Sequence, residues 1–409
     1  MGTAALADMR ATEPRDRLEA FVREVVCALR LGRQRENALV YARGLIEHGG
    51  RKSLQPTLFR LGASAAQYES LQQFLADSPW DPQAVWRACA ERIVPRIAPL
   101  AWVIDDTGFP KDGRHSPGVM RQYSGTLGKV SNCQIGVSLH AVSLTGTLPL
   151  GFALYLPEGW TGDPERRRQA KIPDAVAFHT KPQLAGELAE RAGGWQIPTA
   201  PVLADQAYGD NAELRTRLDA AGIQYVVQIA ERTGLFGPQT VFSVPARRGE
   251  TGRRPSVAQP DRRHQSALEL AQALAPEAFQ TIAFTTGPGG HERSGRFALC
   301  RVWAAKPVLR DHMPPRQEWL VVEWPEGAER PSDYWLANLP ADTPAERLVQ
   351  LARLRWVVEL DYRQLKGELG LDHYEGRSYL GWHHHCALVT LAHAFLTEER
   401  LCPQARRPA

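Results

Sequence analysis

Apolar residues recur at helical spacing through the first part of the chain. Leu18, Phe21, Val22, Val25 and Val26 mark one stripe, and Leu39, Ala42, Leu45 and Ile46 mark another. Gly49-Gly50 and Gly62-Ala63-Ser64 separate such runs and read as breaks. A third helix is expected after Asp81-Pro82, with the aspartate as cap and the proline in the first turn. Strand signals are scarce here, so residues 1–96 are expected to form an all-helical N-terminal domain.

The pattern then changes. Leu100-Ala101-Trp102-Val103-Ile104 is a short apolar run suited to a buried strand. The segment from Cys133 to Leu144 alternates through Ile135, Val137, Leu139 and Ala141, and Leu148 to Leu156 makes a third strand. A helix is expected at 181–193, led by Thr180-Lys181-Pro182. Ala200 to Asp205 reads as a strand ending in an acid, followed by a helix at 210–221 and a strand from Tyr225 to Ile229. Strands alternating with helices predict a mixed α/β sheet over residues 97–231.

Residues 232–295 are rich in Gly, Pro and Arg, and strand signals follow at Phe297–Trp303, Trp319–Trp324 and Tyr334–Leu339. Together, residues 232–340 predict a β-rich insertion with a basic arm. Thr343-Pro344-Ala345-Glu346 then has the form of a capping box. It predicts one helix running past Lys366 towards Gly370, and a last amphipathic helix at 382–400 completes residues 341–409.

At 409 residues the chain exceeds the size of a single core, so two or three units are expected. The net charge of +4 is mild, and the informative feature is local clustering of arginine. The cysteines (Cys27, Cys89, Cys133, Cys300, Cys386, Cys402) form no C-x-x-C pair, which argues against a zinc ribbon and for a reducing compartment. No apolar run approaches the ~20 residues that span a membrane, and no signal-peptide core is seen. The expected location is the cytoplasm.

Chemistry gathers at acidic residues. On one continuous helix, Arg355, Glu359 and Lys366 share a face, and Tyr362 falls on the same stripe. A carboxylate between two cations suits a nucleic-acid phosphate and its divalent ion, although an i,i+4 salt bridge between Arg355 and Glu359 is the alternative. Asp106 ends the first candidate strand and Asp205 ends the fourth, at the sheet edge where ligand sites gather. Three carboxylates could hold a metal pair roughly 4 Å apart for in-line phosphoryl transfer, and oxygen donors favour magnesium. Alternation puts Asp105 and Asp106 on opposite sides of the strand, so only one can face such metals.

These residues resemble the DDE-superfamily transposases of bacterial insertion sequences, in the group with a Y-R-E-K signature. Arg355, Glu359 and Lys366 match its spacings, whereas Ala352 stands where the tyrosine belongs and Tyr362 is the available substitute. Asp106-Thr107 matches the first motif, and Asp205 followed by Tyr208-Gly209 matches the second. Gly108-Phe109-Pro110-Lys111, Arg121 to Gly125, Asn132 to Gln134 and Leu156 to Trp160 are similar to one branch of this group. The resemblance implies an RNase H-like core. Asp106, Asp205 and Glu359 would be its catalytic, metal-holding carboxylates, with two Mg²⁺ ions or Mn²⁺ in their place. The set would cut the ends of an insertion sequence and join the 3′-OH to target DNA. Double-stranded DNA would be the partner, held on phosphate by Arg355 and Lys366, and a homodimer would pair two ends. The protein would associate with the nucleoid when bound to DNA. Asp105 would be left to cap a turn or bind a lysine.

Other signals carry less. Gly125 to Lys129 lacks the spacing of a P-loop, so no nucleotide cofactor is expected, and Lys129 either touches phosphate or is simply exposed. His383-His384-His385-Cys386 cannot converge on one metal from consecutive helical positions and reads as a helix start with partly buried histidines. Arg166, Arg167, Arg168 and Lys171, and the arginines at 247–254, are candidate phosphate contacts or solvated surface. Trp303, Trp319, Trp324 and Trp335 are core residues, one of which could stack on an unpaired base. The N-terminal helices would bind terminal repeats. Competing readings are a non-catalytic DNA-binding derivative and an RNase H-like structure-specific nuclease.

Overall fold

The computed structural model describes residues 13–47, 49–125, 128–245, 258–287, 290–306 and 316–402. The chain divides into two compact units. One comprises Met1–Pro99, Asp105–Thr199 and Val358–Ala409, and the other comprises Leu100–Ile104 and Ala200–Val357.

The first unit opens with helices α1 (Pro14–Val25), α2 (Gly32–Ile46), α3 (Leu54–Arg60), α4 (Ala65–Ala76) and α5 (Pro82–Ile97). The stripe Leu18, Phe21, Val22, Val25 and Val26 is buried, as its period requires. Asp81 caps α5 by accepting the Gln83 N–H. Helices α3 and α4 lie within the span expected to be helical, with the expected breaks Gly49-Gly50 and Gly62-Ala63-Ser64 before each. Each is short, and α4 buries only Leu71, Phe74 and Leu75, too few positions to set a clear period.

Strand β1 (Ala101–Pro110) enters this unit at Asp105 and neighbours β3 (Lys129–Val142), which pairs antiparallel with β2 (Met120–Ser124) and β4 (Thr147–Tyr155). The expectation that Asp106 ends its strand is therefore corrected. Thr107, Gly108 and Phe109 are buried and carry β1 four residues beyond Asp106. Helices α6 (Glu158–Thr161), α7 (Pro164–Gln169) and α8 (Lys181–Gly193) follow.

The second unit holds β5 (Val202–Ala204), α9 (Gln206–Gly209), α10 (Ala212–Ala220) and β6 (Tyr225–Ile229). Trp102 and Val103 of β1 pair in parallel with Val202 and Leu203, and β5 pairs in parallel with β6. The remaining strands are β7 (Gly234–Phe236), β8 (Phe242–Ser243), β9 (Gln259–Pro260), β10 (Gln265–Ser266), β11 (Gln280–Thr286), β12 (His291–Ala304), β13 (Glu318–Glu323) and β14 (Asp333–Ala337), with α11 (Ala267–Ala273) among them. Strands β6, β14, β13 and β12 pair antiparallel in that order, so the sheet is mixed. The fold is thus α/β with a mixed sheet, consistent with the expected class. The arginines at 247–254 lie outside the described residues.

The expected single helix after residue 343 is two helices, α12 (Ala345–Leu354) and α13 (Val357–Gly367), interrupted at Arg355-Trp356. Thr343 does not cap α12; its hydroxyl donates back to the Pro340 carbonyl at 2.8 Å, and Pro344 holds the cap position. No described helix is long and apolar enough to cross a membrane.

Helix α14 (Tyr379–Leu401) is buried along most of its length and packs on α5, α2, α4 and β4. Its histidines are fully structural rather than partly exposed. The His383 Nδ1 lies 3.0 Å from the Tyr379 carbonyl, and His385 joins the Tyr41 hydroxyl (2.9 Å) to the Gly370 and Leu371 carbonyls (3.1 Å each). His384 stacks on Trp80 with ring centroids 3.7 Å apart. Burial pushes the imidazoles of His383 and His385 from an ordinary 6.5 down to about 4. Between those values the unfolded chain binds more protons than the folded one, so stability falls as pH drops through that window. Each histidine contributes a slope of up to about 1.4 kcal/mol per pH unit there. The melting temperature is expected to hold above the unfolded imidazole pKa and decline steadily below it, and His385→Gln to flatten that decline. A melting temperature constant down to a pH near 5 would contradict this account.

Candidate active site

In the first unit, β1 carries Asp105 and Asp106 through its middle. The Asp105 carboxylate accepts the backbone N–H of Asp106 at 2.8 Å. Asp106 Oδ2 lies 2.9 Å from the Lys181 ammonium, and both side chains are partly shielded. Asp106 thus binds a lysine. Lys181 is the first residue of α8, whose Thr180 and Gln183 form a capping box. A cation at a helix start opposes the helix dipole, and the facing Asp106 carboxylate offsets both charges. The Lys181 ammonium also lies 6.0 Å from the centre of the Tyr155 ring.

Glu359 sits in the first turn of α13 and is exposed. The same helix turns Asp361 fully inward. The Asp361 Oδ2 is 2.5 Å from His140 Nδ1 on β3, and its Oδ1 is 2.9 Å from His393 Nε2 on α14. The Thr147 hydroxyl of β4 donates to Oδ1 at 2.7 Å. Burial alone would raise this carboxyl, but the charge of His393 and the hydrogen bonds of both histidines outweigh it and hold Asp361 well below the usual carboxylate range. A chain continues from His140 Nε2 to the Ser138 hydroxyl (2.9 Å) and on to the Tyr362 hydroxyl (2.5 Å). Burial, then the charges of Asp105 and Asp106, push the Tyr362 phenol well up. Tyr362 is a buried neighbour of the two aspartates, not an exposed phosphate contact.

Lys366, two turns along α13 from Glu359, donates to the Gly108 carbonyl of β1 at 2.8 Å and lies 5.6 Å above the Phe109 ring. Burial lowers its pKa. Helix α13 is thus clamped to β1 by Lys366 and to β3 by Tyr362.

In the second unit, Asp205 follows β5 and caps α9, one oxygen accepting the N–H groups of Ala207 (2.9 Å) and Tyr208 (3.3 Å). Gly209 belongs there because a Cβ would meet the Gln228 carbonyl at 1.8 Å. Arg355 lies in the interruption between α12 and α13, with a helical backbone conformation of its own (φ −52°, ψ −37°). It borders a cavity of about 420 Å³ with Arg353, Trp335, Trp356 and Ala352. Trp335 is the strand tryptophan at that cavity, whereas Trp319 and Trp324 donate to the carbonyls of Pro340 and Ala328.

The remaining basic candidates serve local structure. Arg166 stacks over Trp160, Arg167 donates to the carbonyls of Val176 and Pro173, Arg168 pairs with Glu165, and Lys171 pairs with Asp77. Lys129 is exposed at the start of β3.

Asp106, Asp205 and Glu359 offer hard oxygen donors of the kind magnesium takes. The Lys181 ammonium on Asp106 shows that this oxygen already accepts a cation. Among the described residues, no three His, Cys, Asp or Glu side chains form a metal-ready cluster. Sequence reasoning passed over Lys181, Asp361, His140 and His393. The usable signal was a charged or titratable residue inside an otherwise apolar run, as at His140 within Val137 to Val142.

A curated protein from Microchaete diplosiphon, described as a probable transposase for insertion sequence element IS701, is 31% identical to this chain over 189 residues. That match covers 46% of this chain and 46% of the relative, so the chain spans about half the length of that relative. A family described as DDE superfamily endonuclease matches residues 24–289, more than half of the sequence. The chain belongs to the DDE superfamily of endonucleases.

Proposed function

We propose that this chain is the transposase of an insertion sequence, cutting DNA at the element's ends and joining the freed 3′-OH to target DNA. The observation that carries the reading is the clamp of α13 onto β1. It places the helix bearing Glu359 against the strand bearing Asp106, within a chain of this family. Asp106, Asp205 and Glu359 are the assigned metal-holding carboxylates, for two Mg²⁺ ions or Mn²⁺ in their place. Bound there, the metal supplies Lewis-acid stabilisation to the attacking and departing oxygens.

The chain's own residues divide the remaining work. Lys181 holds the Asp106 carboxylate in place. Tyr362 closes the buried side behind the aspartates and keeps water from that face. Arg355 offers a planar fork for phosphate, and Lys366 sets the spacing between α13 and β1. The arginine-lined cavity beside Trp335 has room for an unpaired base. We assign the N-terminal helices to the terminal repeats and expect two copies on a pair of ends. Lys129, Arg166, Arg168 and Lys171 remain assigned to DNA backbone at the periphery.

The test incubates the purified chain with a duplex ending in the element's inverted repeat and magnesium, then resolves nicked and joined strands. Nicks and joined products are expected. Asp106→Asn, Asp205→Asn and Glu359→Gln should each lower cutting on the order of a thousandfold while leaving DNA binding in place. Cutting without joining would favour a nuclease, and no metal-dependent cutting of any DNA would overturn the enzymatic reading.

Lys181→Met should let Mn²⁺ bind a few-fold more tightly, read by electron paramagnetic resonance without DNA, because no ammonium then competes for Asp106. Unchanged or weaker Mn²⁺ binding would contradict the counter-ion role.

A further inference from the structure

The hairpin of β2 and β3 has two unlike faces. Its register pairs Arg121 with Asn132, Gln122 with Ser131, Tyr123 with Val130 and Ser124 with Lys129. Opposed residues share a face, and faces alternate along each strand. One face therefore carries Ser124, and it curls back over β1. The Ser124 side chain is fully buried, and its oxygen stands where a Cβ on Gly108 would lie. The opposite face carries Arg121, Tyr123 and Val130 and turns to solvent.

That outer face is unusual in two respects. Tyr123 is 63% exposed and Val130, its partner across the ribbon, is 53% exposed, so two large side chains stand together on this face. Isolated exposed apolar residues need no explanation, but a cluster does. The charge is also one-sided. No Asp or Glu occurs from Gly113 to Pro157, whereas Arg114, Arg121 and Lys129 fall within that stretch. Arg121 and Lys129 are exposed and have no ion-pair partner among the described residues.

A two-stranded ribbon fits the major groove of B-DNA, cations take the phosphates, and an exposed tyrosine packs on sugars or base edges. We propose that the outer face of the β2–β3 ribbon seats duplex DNA, with Arg121 on that face and the exposed Lys129 at the ribbon's end, opposite Ser124 in the register, on backbone phosphates, and Tyr123 and Val130 against the groove. This rests on the transposase reading and adds a contact surface to it. The inner face of the ribbon lies on Gly108, two residues from Asp106. DNA seated on the ribbon would therefore be held beside the strand that carries that carboxylate.

The test measures duplex binding by fluorescence anisotropy across a salt series without divalent metal, for the full chain and for Arg121→Ala/Lys129→Ala and Tyr123→Ala. All three substituted side chains are exposed, and matching melting temperatures confirm folding. The double variant should lose about 1.8 from the slope of log affinity against log salt, near 0.9 for each phosphate contact. It should bind about tenfold or more weakly near 0.1 M salt. Tyr123→Ala should weaken binding about fivefold with the slope unchanged. In a second readout, duplex DNA should protect Lys129 from acylation, quantified by mass spectrometry. If the full chain binds and cuts DNA while both variants keep its affinity and slope, the ribbon proposal is overturned and the transposase reading stands. A change in oligomeric mass with DNA affinity intact would overturn it too, assigning the face to contact between copies. If the full chain binds no duplex at any salt, both fail.

Discussion

A single buried carboxylate organises the first unit. Asp361 is removed from water and would be strongly unfavourable there without partners. Its partners come from separate elements: His140 from β3, Thr147 from β4 and His393 from α14. Breaking a buried pair of this kind typically costs about 3–5 kcal/mol, so α13 has one rotational setting that satisfies it. That setting has a direct consequence for Glu359. Two residues on a helix are about 200° apart, so fixing Asp361 inward turns Glu359 outward. The exposed acid of the candidate site is the geometric complement of the buried one.

The same setting places the rest of the helix. Tyr362 follows Asp361 around the turn and reaches Ser138, closing a hydrogen-bonded chain to His140. Lys366 reaches the Gly108 carbonyl, which ties α13 to β1. Asp106 lies on that strand with its charge met by Lys181. A carboxylate held by a lysine at a helix start is oriented in advance, which suits a group that must take up a cation.

Much of this was legible in the sequence, and the parts that were not have identifiable reasons. The stripe of α1 is a strong periodic signal that the structure follows, whereas β3 is buried on both faces from Cys133 to Val142. Helix α2 buries Ala42 and Leu45 together with Ala38 and Tyr41 rather than Leu39 and Ile46. The break at Arg355-Trp356 was hidden because Leu351, Leu354, Val357, Val358 and Leu365 keep an apolar pattern across it, with no glycine or proline to mark it. The extension of β1 past its aspartates was hidden because Asp105-Asp106 and Gly108 interrupt the apolar run, although the ribbon's Ser124 packs on Gly108. The Asp361 network could not be derived from spacing at all. Its members lie far apart in the chain, and only the fold brings them together. The motif identified Asp106, Asp205 and Glu359, but their partners are tertiary facts.

Helix α13, fixed by Asp361, presents the exposed Glu359, which the proposed function assigns with Asp106 and Asp205 to a divalent metal. The most direct measurement is anomalous diffraction from Mn²⁺ in crystals of the chain bound to an element end. The account predicts manganese ligated by Asp106, Asp205 and Glu359, with Lys181 withdrawn from Asp106. Manganese bound elsewhere, or bound without Glu359 while Asp361 keeps its two histidines, would contradict it.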